Sequence, residues 1–112
     1  MADTSMELLK GTLDILILKT LSRGPMHGYG VSRSLRETSR DAFQVQEGAL
    51  YPALRRLEER GLLESRWDTT DTGRDAKFYT LTPDGEQELE RSVRSWRSYV
   101  EAMAEVLGGA KA

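Results

Sequence analysis

The run QEGALYPALRRLEERGLLE, residues 46–64, constrains the fold more than any other stretch. Leu50, Leu54 and Leu57 recur at helical spacing and form one apolar stripe, while Arg55, Arg56 and Arg60 fall on or beside the other face. Gly61 stops the helix, and Leu62 and Leu63 open a strand. Pro52 lacks an N–H and suits a first turn, so the regular helix is expected to begin near Gly48. A helix held by one stripe, showing small and basic residues outward, has the shape and charge to enter a DNA major groove.

The 112 residues fit one domain with a modest core and one protruding element. There is no cysteine, which removes disulfides, thiolate metal sites and thiol nucleophiles. No apolar run approaches the ~20 residues that span a bilayer, and the first residues lack a signal-peptide pattern, so a cytoplasmic place is expected and no membrane partner. The net charge of −2 argues on its face against a nucleic-acid binder. Its distribution weakens the objection. Arg33, Arg36, Arg40, Arg55, Arg56 and Arg60 stand in the middle against a slightly smaller set of acids. The last third holds Asp84, Glu86, Glu88, Glu90, Glu101 and Glu105 against three arginines. Phosphate contact follows the local field.

Residues 5–22 predict a first helix, capped by Thr4 or Ser5, with Glu7 in its first turn. Leu8, Leu9, Leu13, Ile15, Leu16, Ile17, Leu18 and Leu21 leave almost no polar face. Such a helix is covered on more than one side, either by a second subunit or within a monomer core. Residues 23–28, RGPMHG, read as a loop. A second helix follows over 28–40 with Val31 and Leu35 inward. Gly28 and Gly30 weaken it but permit close approach of a neighbouring helix or a phosphate.

Leu63, Ser65 and Trp67 alternate with Glu64 and Arg66, and residues 77–81 are rich in strand formers. Turn chemistry over 68–75 joins them as a β-hairpin whose polar tip carries Arg74 near Lys77. Thr82 caps a last helix with Pro83 at its first position and acids in its first turn. Leu89, Val93, Trp96, Val100, Met103 and Leu107 are spaced four, three, four, three and four apart, as in a coiled-coil seam. An intramolecular groove would satisfy much of that pattern too. Gly108 and Gly109 end the helix.

The fold class is therefore mainly α with a β-hairpin: a winged helix-turn-helix over residues 5–82, followed by a long C-terminal dimerisation helix over 83–108. LLKGTLDILILKTL, GPMHGYGVSRSL, EGALYPALRRLEERGLLES and W-x5-GRDAKFYTLTPDG occur in that order, ahead of a terminal helix containing Trp96. Together they cover nearly all of residues 8–107, and the chain resembles the PadR family of bacterial transcriptional regulators, in the smaller class with a single C-terminal helix. The resemblance implies a homodimer joined through Leu9, Leu13 and Leu16 of the first helix and the seam of the last. It also implies a two-fold operator, a repressor, and in some members release from DNA by a small aromatic effector.

Gln46, Ala49 and Tyr51 then stand where base edges are met: Gln46 can bond a base bidentately, and the Ala49 methyl can touch thymine. Gln46 reads equally as a helix cap, and Tyr51 as a core ring. Arg55, one turn on, reaches a phosphate or guanine, or is simply solvated. Tyr29 and Arg33 are candidates for backbone phosphates, with packing and solvation as the alternatives. Arg74 and Lys77 would meet an adjacent phosphate or minor groove. Asp75 and Ala76 stand where the family's wing is commonly basic, which implies a weaker wing.

Trp96 with its symmetry mate could sandwich a flat ligand, or serve as an interface tryptophan. His27, a lone histidine without cysteine, reads as a turn residue and not a metal ligand. No phosphate loop, nucleophile elbow or HExxH motif occurs, and the glutamates of 58–59 and 86–90 read as solvated faces. No enzyme, cofactor or metal is expected. Two rivals remain: a winged module that binds protein, and a small-molecule sensor built around Trp96.

Overall fold

The computed structural model describes residues 11–108, which form α1 (Thr12–Leu21), β1 (Met26–His27), α2 (Gly28–Thr38), α3 (Glu47–Glu59), β2 (Leu63–Thr69), β3 (Asp75–Leu81) and α4 (Pro83–Leu107). The expected caps Thr4 and Ser5, and the expected interface residue Leu9, lie outside the described residues. Gly11 precedes α1 at φ 86°, a left-handed geometry that glycine adopts at little cost. Ile17, Leu18 and Leu21 are buried, whereas Leu13, Ile15 and Leu16 are only half-covered by their own chain. The Thr20 hydroxyl donates to the Leu16 carbonyl at 2.8 Å, which lets a polar side chain stay buried in α1.

The loop expected over 23–28 contains a short strand. β1 pairs antiparallel with β3, Met26 opposite Tyr79 and His27 opposite Phe78, so the sheet has three strands in the order β1-β3-β2. A two-residue strand has no periodicity to detect; its pairing exists only because the fold brings β3 alongside. α2 ends at Thr38, two residues earlier than expected. Arg40 and Asp41 turn to φ 53° and 68°, and their N–H groups return to the carbonyls of Glu37 (3.2 Å) and Arg36 (2.8 Å). This closes the helix without a glycine.

α3 begins one residue before the expected Gly48, and Pro52 lies in its second turn instead of its first. The end is as the residues suggest. Gly61 at φ 78° lets its own N–H reach Glu58 O (2.9 Å) and that of Leu62 reach Leu57 O (3.0 Å). β2 and β3 then pair from Leu63↔Leu81 to Thr69↔Asp75. The expected turn over 68–75 shrinks to residues 70–74, because the strands extend into it and Thr70 N–H closes on Arg74 O at 2.8 Å.

Thr82 caps α4, its hydroxyl accepting from Gly85 N–H at 2.9 Å and donating to Gly61 O at 2.8 Å. One side chain thus ties the end of α3 to the start of α4. Gly85 is buried, and a Cβ there would meet the Leu62 carbonyl. The core gathers Ile17, Leu18, Leu21, Val31, Leu35, Leu50, Ala53, Leu54, Leu57, Leu62, Leu63 and Tyr79, with Leu13, Leu16 and Leu89 packed at its edge. Along α4 the cover runs out: Leu89 and Val93 are half-buried, Trp96, Val100 and Met103 are exposed, and Leu107 is 73% exposed. A groove within one subunit therefore accounts for only the first part of the seam.

Candidate nucleic-acid interface

α3 buries Leu50, Ala53, Leu54 and Leu57, which leaves Gln46, Glu47, Gly48 and Ala49 exposed at its first turn. Gln46 occupies the cap position, but its side chain makes no capping bond, so its amide is free for another partner. Glu47 beside it is also exposed and would oppose a phosphate.

Tyr51 is neither a core ring nor a freely solvated one. A Cβ on Gly28 would stand 2.7 Å from Tyr51 Cζ and Oη and closer still to Cε1, so the ring lies directly on the start of α2. It remains 41% exposed. The close approach that Gly28 permits is thus to an aromatic ring of the neighbouring helix. Gly30 has no comparable role: a Cβ there meets only ordinary contacts at 3.6–3.7 Å.

Tyr51 forms one wall of a groove of about 790 Å³ between the start of α2 and the hairpin. Tyr29, Arg33, Arg74 and Lys77 line it too, so five of the eight expected DNA-contacting residues share one concavity. Gln46, Ala49 and Arg55 do not line it; they are exposed on α3.

The cations of this surface are in different states. Arg55 takes no part in the ion pairs among the described residues, nor does Arg74. Arg33 Nε bonds Glu37 Oε2 at 3.1 Å across one exposed turn, a pair worth about 0.3–0.5 kcal/mol that a phosphate can replace. Lys77 is more committed. Its Nζ lies 3.4 Å from Glu58 Oε1 and 5.8 Å from the centre of the Tyr79 ring. The Ser65 hydroxyl, donating to Glu58 Oε2 at 2.5 Å, and then Lys77 hold the Glu58 carboxyl below its ordinary value. Burial pushes the Tyr79 phenol up, so it stays a neutral hydroxyl in the groove wall. Arg56 is occupied by Asp14 at 3.0 Å and braces α3 on α1.

Sequence reasoning missed several groove residues. Trp67 lines it and is 71% exposed, because the inward face of β2 leaves the body after Ser65; the strand's alternation gave no sign of where that body ends. His27 lines it as well and caps α2, Nδ1 accepting from Gly30 N–H at 3.1 Å. Asp71 and Asp75 add negative charge beside Arg74.

Trp96 lines a second concavity of about 670 Å³ among α1, the end of α3 and α4. Its ring stacks on Tyr99 with centroids 5.7 Å apart and planes 28° apart. Arg60, Glu88 and Arg91 supply charge there, and the Arg91 guanidinium, then the Ser92 hydroxyl, hold the Glu88 carboxyl below its ordinary value. Among the described residues no group of three or more His, Cys, Asp or Glu is placed to hold a metal ion, and no helix is long and apolar enough to cross a membrane.

Comparison with known proteins agrees with this architecture. The profile of the transcriptional regulator PadR-like family matches residues 17–91. A transcriptional regulator of Mycobacterium tuberculosis, Rv3488, is 35% identical over 103 residues, covering 92% of this chain and 90% of the relative. The negative transcriptional regulator PadR of Bacillus subtilis is 31% identical over 77 residues, 69% of this chain and 42% of its own length. Among solved structures, a PadR family regulator of Clostridium difficile superposes with TM-score 0.76 at 33% identity, over 87% of this chain and 99% of that one. One from Eggerthella lenta gives 0.77 at 32%, over 89% and 85%. With family profile, relatives and fold in agreement, this chain belongs to the PadR-like family of transcriptional regulators, DNA-binding proteins and not enzymes.

Proposed function

We propose that the chain is a cytoplasmic repressor that binds a two-fold operator as a homodimer and answers to a small flat ligand. Residues 5–82 serve as the DNA-reading unit and 83–108 as the dimerisation helix. The observation that carries the reading is the groove shared by Tyr29, Arg33, Tyr51, Arg74 and Lys77, beside the exposed first turn of α3. Gln46, Ala49, Tyr51 and Arg55 read bases and the adjacent backbone, while Tyr29, Arg33 and the wing hold phosphates. With Lys77 engaged by Glu58, the wing contributes mainly through Arg74.

Dimerisation is supported by the uncovered seam of α4, Trp96, Val100, Met103 and Leu107, and by the half-covered Leu13 and Leu16 of α1. Continuous apolar faces of this kind are closed by a partner in stable proteins. Repression is supported by the negative regulator named among the relatives. A ligand is supported by the Trp96–Tyr99 stack in its cleft.

The test is fluorescence anisotropy with DNA from upstream of the protein's own gene. Tyr51→Ala and Arg55→Ala are each expected to weaken binding about tenfold, and Met103→Glu to convert the dimer to a monomer on size exclusion. Wild-type protein with no retention on heparin and no affinity for that DNA would sink the reading in favour of a protein-binding module. Tryptophan quenching by aromatic compounds without any DNA affinity would favour the sensor.

A further inference from the structure

His27 belongs to three parts of the proposed interface at once. Its backbone bridges β1 to β3 opposite Phe78. Its ring meets the Phe78 ring edge-on at 5.1 Å and faces the Tyr29 ring at 6.4 Å with planes 21° apart. Its Nδ1 accepts the Gly30 N–H at 3.1 Å and so satisfies one of the orphan donors of α2. Histidine is an unusual choice at a cap, where a short oxygen-bearing side chain suffices. Capping alone leaves the aromatic ring unexplained; the contacts with Phe78 and Tyr29 account for it.

We propose that His27 is a positioning residue for DNA binding, fixing the start of α2 against the wing so that both grip the same backbone segment. Tyr29 is 63% exposed, and among the described residues its ring has one aromatic neighbour, His27. Phe78 lies between Lys77 and Tyr79 on β3, and both of those line the groove with Tyr29, Arg33 and Arg74. Without the imidazole, the first turn of α2 loses its side-chain acceptor, and the wing loses its only aromatic tie to that turn among the described residues. The phosphate-facing groups and the β1–β3 backbone pairing would remain, but the first turn of α2 would be held less firmly against the wing. Rigid presentation of such groups sets how many phosphates are neutralised together.

The inference rests on the DNA-binding reading above, and its test separates the two. Operator affinity is measured by anisotropy across a salt series for the full-length wild type, His27→Ala and His27→Asn, with melting temperatures alongside. Asparagine supplies a capping acceptor without the ring. His27→Ala is expected to lose about tenfold in affinity and to flatten the salt dependence by about 0.9, the amount for one phosphate. His27→Asn should recover the melting temperature of the wild type but keep part of the affinity loss, because the tie to the wing is still missing. Affinity that tracks melting temperature in both variants, with an unchanged salt slope, makes His27 a cap and nothing more and overturns the proposal. So does wild-type affinity in His27→Ala. Failure of the wild type itself to bind overturns the DNA reading instead.

Discussion

Alanine at Gly28 adds one methyl group where Tyr51 crosses the start of α2. The new carbon would stand 2.7 Å from Cζ and Oη of the tyrosine and nearer to Cε1. Carbons rest at about 3.5–4.0 Å, so the ring must retreat by about 1 Å. Retreat is open to it, since the ring is the far end of a flexible side chain and 41% exposed. The backbone at Gly28 is not in the left-handed region, so alanine fits it and restricts the unfolded chain, a gain of about 0.4–1 kcal/mol. Lost ring contact offsets that gain, and the net change should stay within about 1 kcal/mol, a few degrees in melting temperature. Operator binding should respond far more. Displacing one well-placed contact removes about 1–3 kcal/mol, or about 5- to 150-fold in affinity. A cycle of Gly28→Ala, Tyr51→Ala and the double variant, read by anisotropy, then shows strong non-additivity, because both changes remove the same placed ring. Additive losses, or wild-type affinity in Gly28→Ala, would refute the idea that this glycine positions the tyrosine. A fall in melting temperature beyond about 10 °C would show that the ring cannot yield.

Gly85→Ala should behave in the opposite way. Its Cβ would strike the Leu62 carbonyl, which is backbone, and stand 2.7 Å from Leu81 Cδ1. The leucine methyl can swing aside but the backbone carbonyl cannot, so stability should drop by about 2–3 kcal/mol, seen as a lower urea midpoint. The two lowered carboxyls set an acid limit. Glu58 and Glu88 both titrate below the ordinary 4.5 in the folded chain. Their stabilisation is therefore complete above that value and lost as pH falls through their lowered folded values. Ser65→Ala removes the largest cause at Glu58, so its stability gap from the wild type should shrink between pH 7 and pH 3. Solvent screening keeps the Glu58 share of the gap below about 1 kcal/mol, and a gap equally large at pH 3 would show that the carboxylate is not its source.

The local signals were legible because each depends on a few adjacent residues. Gly61 past the α3 stripe, and Thr82-Pro83 ahead of α4, mark boundaries that lie where chemistry alone puts them. The stripe of Leu50, Leu54 and Leu57 chose the face of α3 that is buried, and by elimination the face that looks outward. The eight DNA-contacting candidates came from that geometry together with family resemblance. Five of them share one groove.

What remained hidden depends on contacts between distant segments. No pattern in MH announces β1, since its pairing needs β3, some fifty residues away in sequence. Gly28 promised a close approach by a helix or a phosphate, but only the packed structure shows that the Tyr51 ring of α3 fills its missing side chain. Lys77 counted as a free wing cation until Glu58 of α3 came within 3.4 Å of it. Helix stripes, caps and turns are properties of short-range sterics and hydrogen bonding, so the order of residues determined them. Which cation stays free, which glycine makes room and which face of α4 lies open are properties of close packing between elements, and only the tertiary structure decided those.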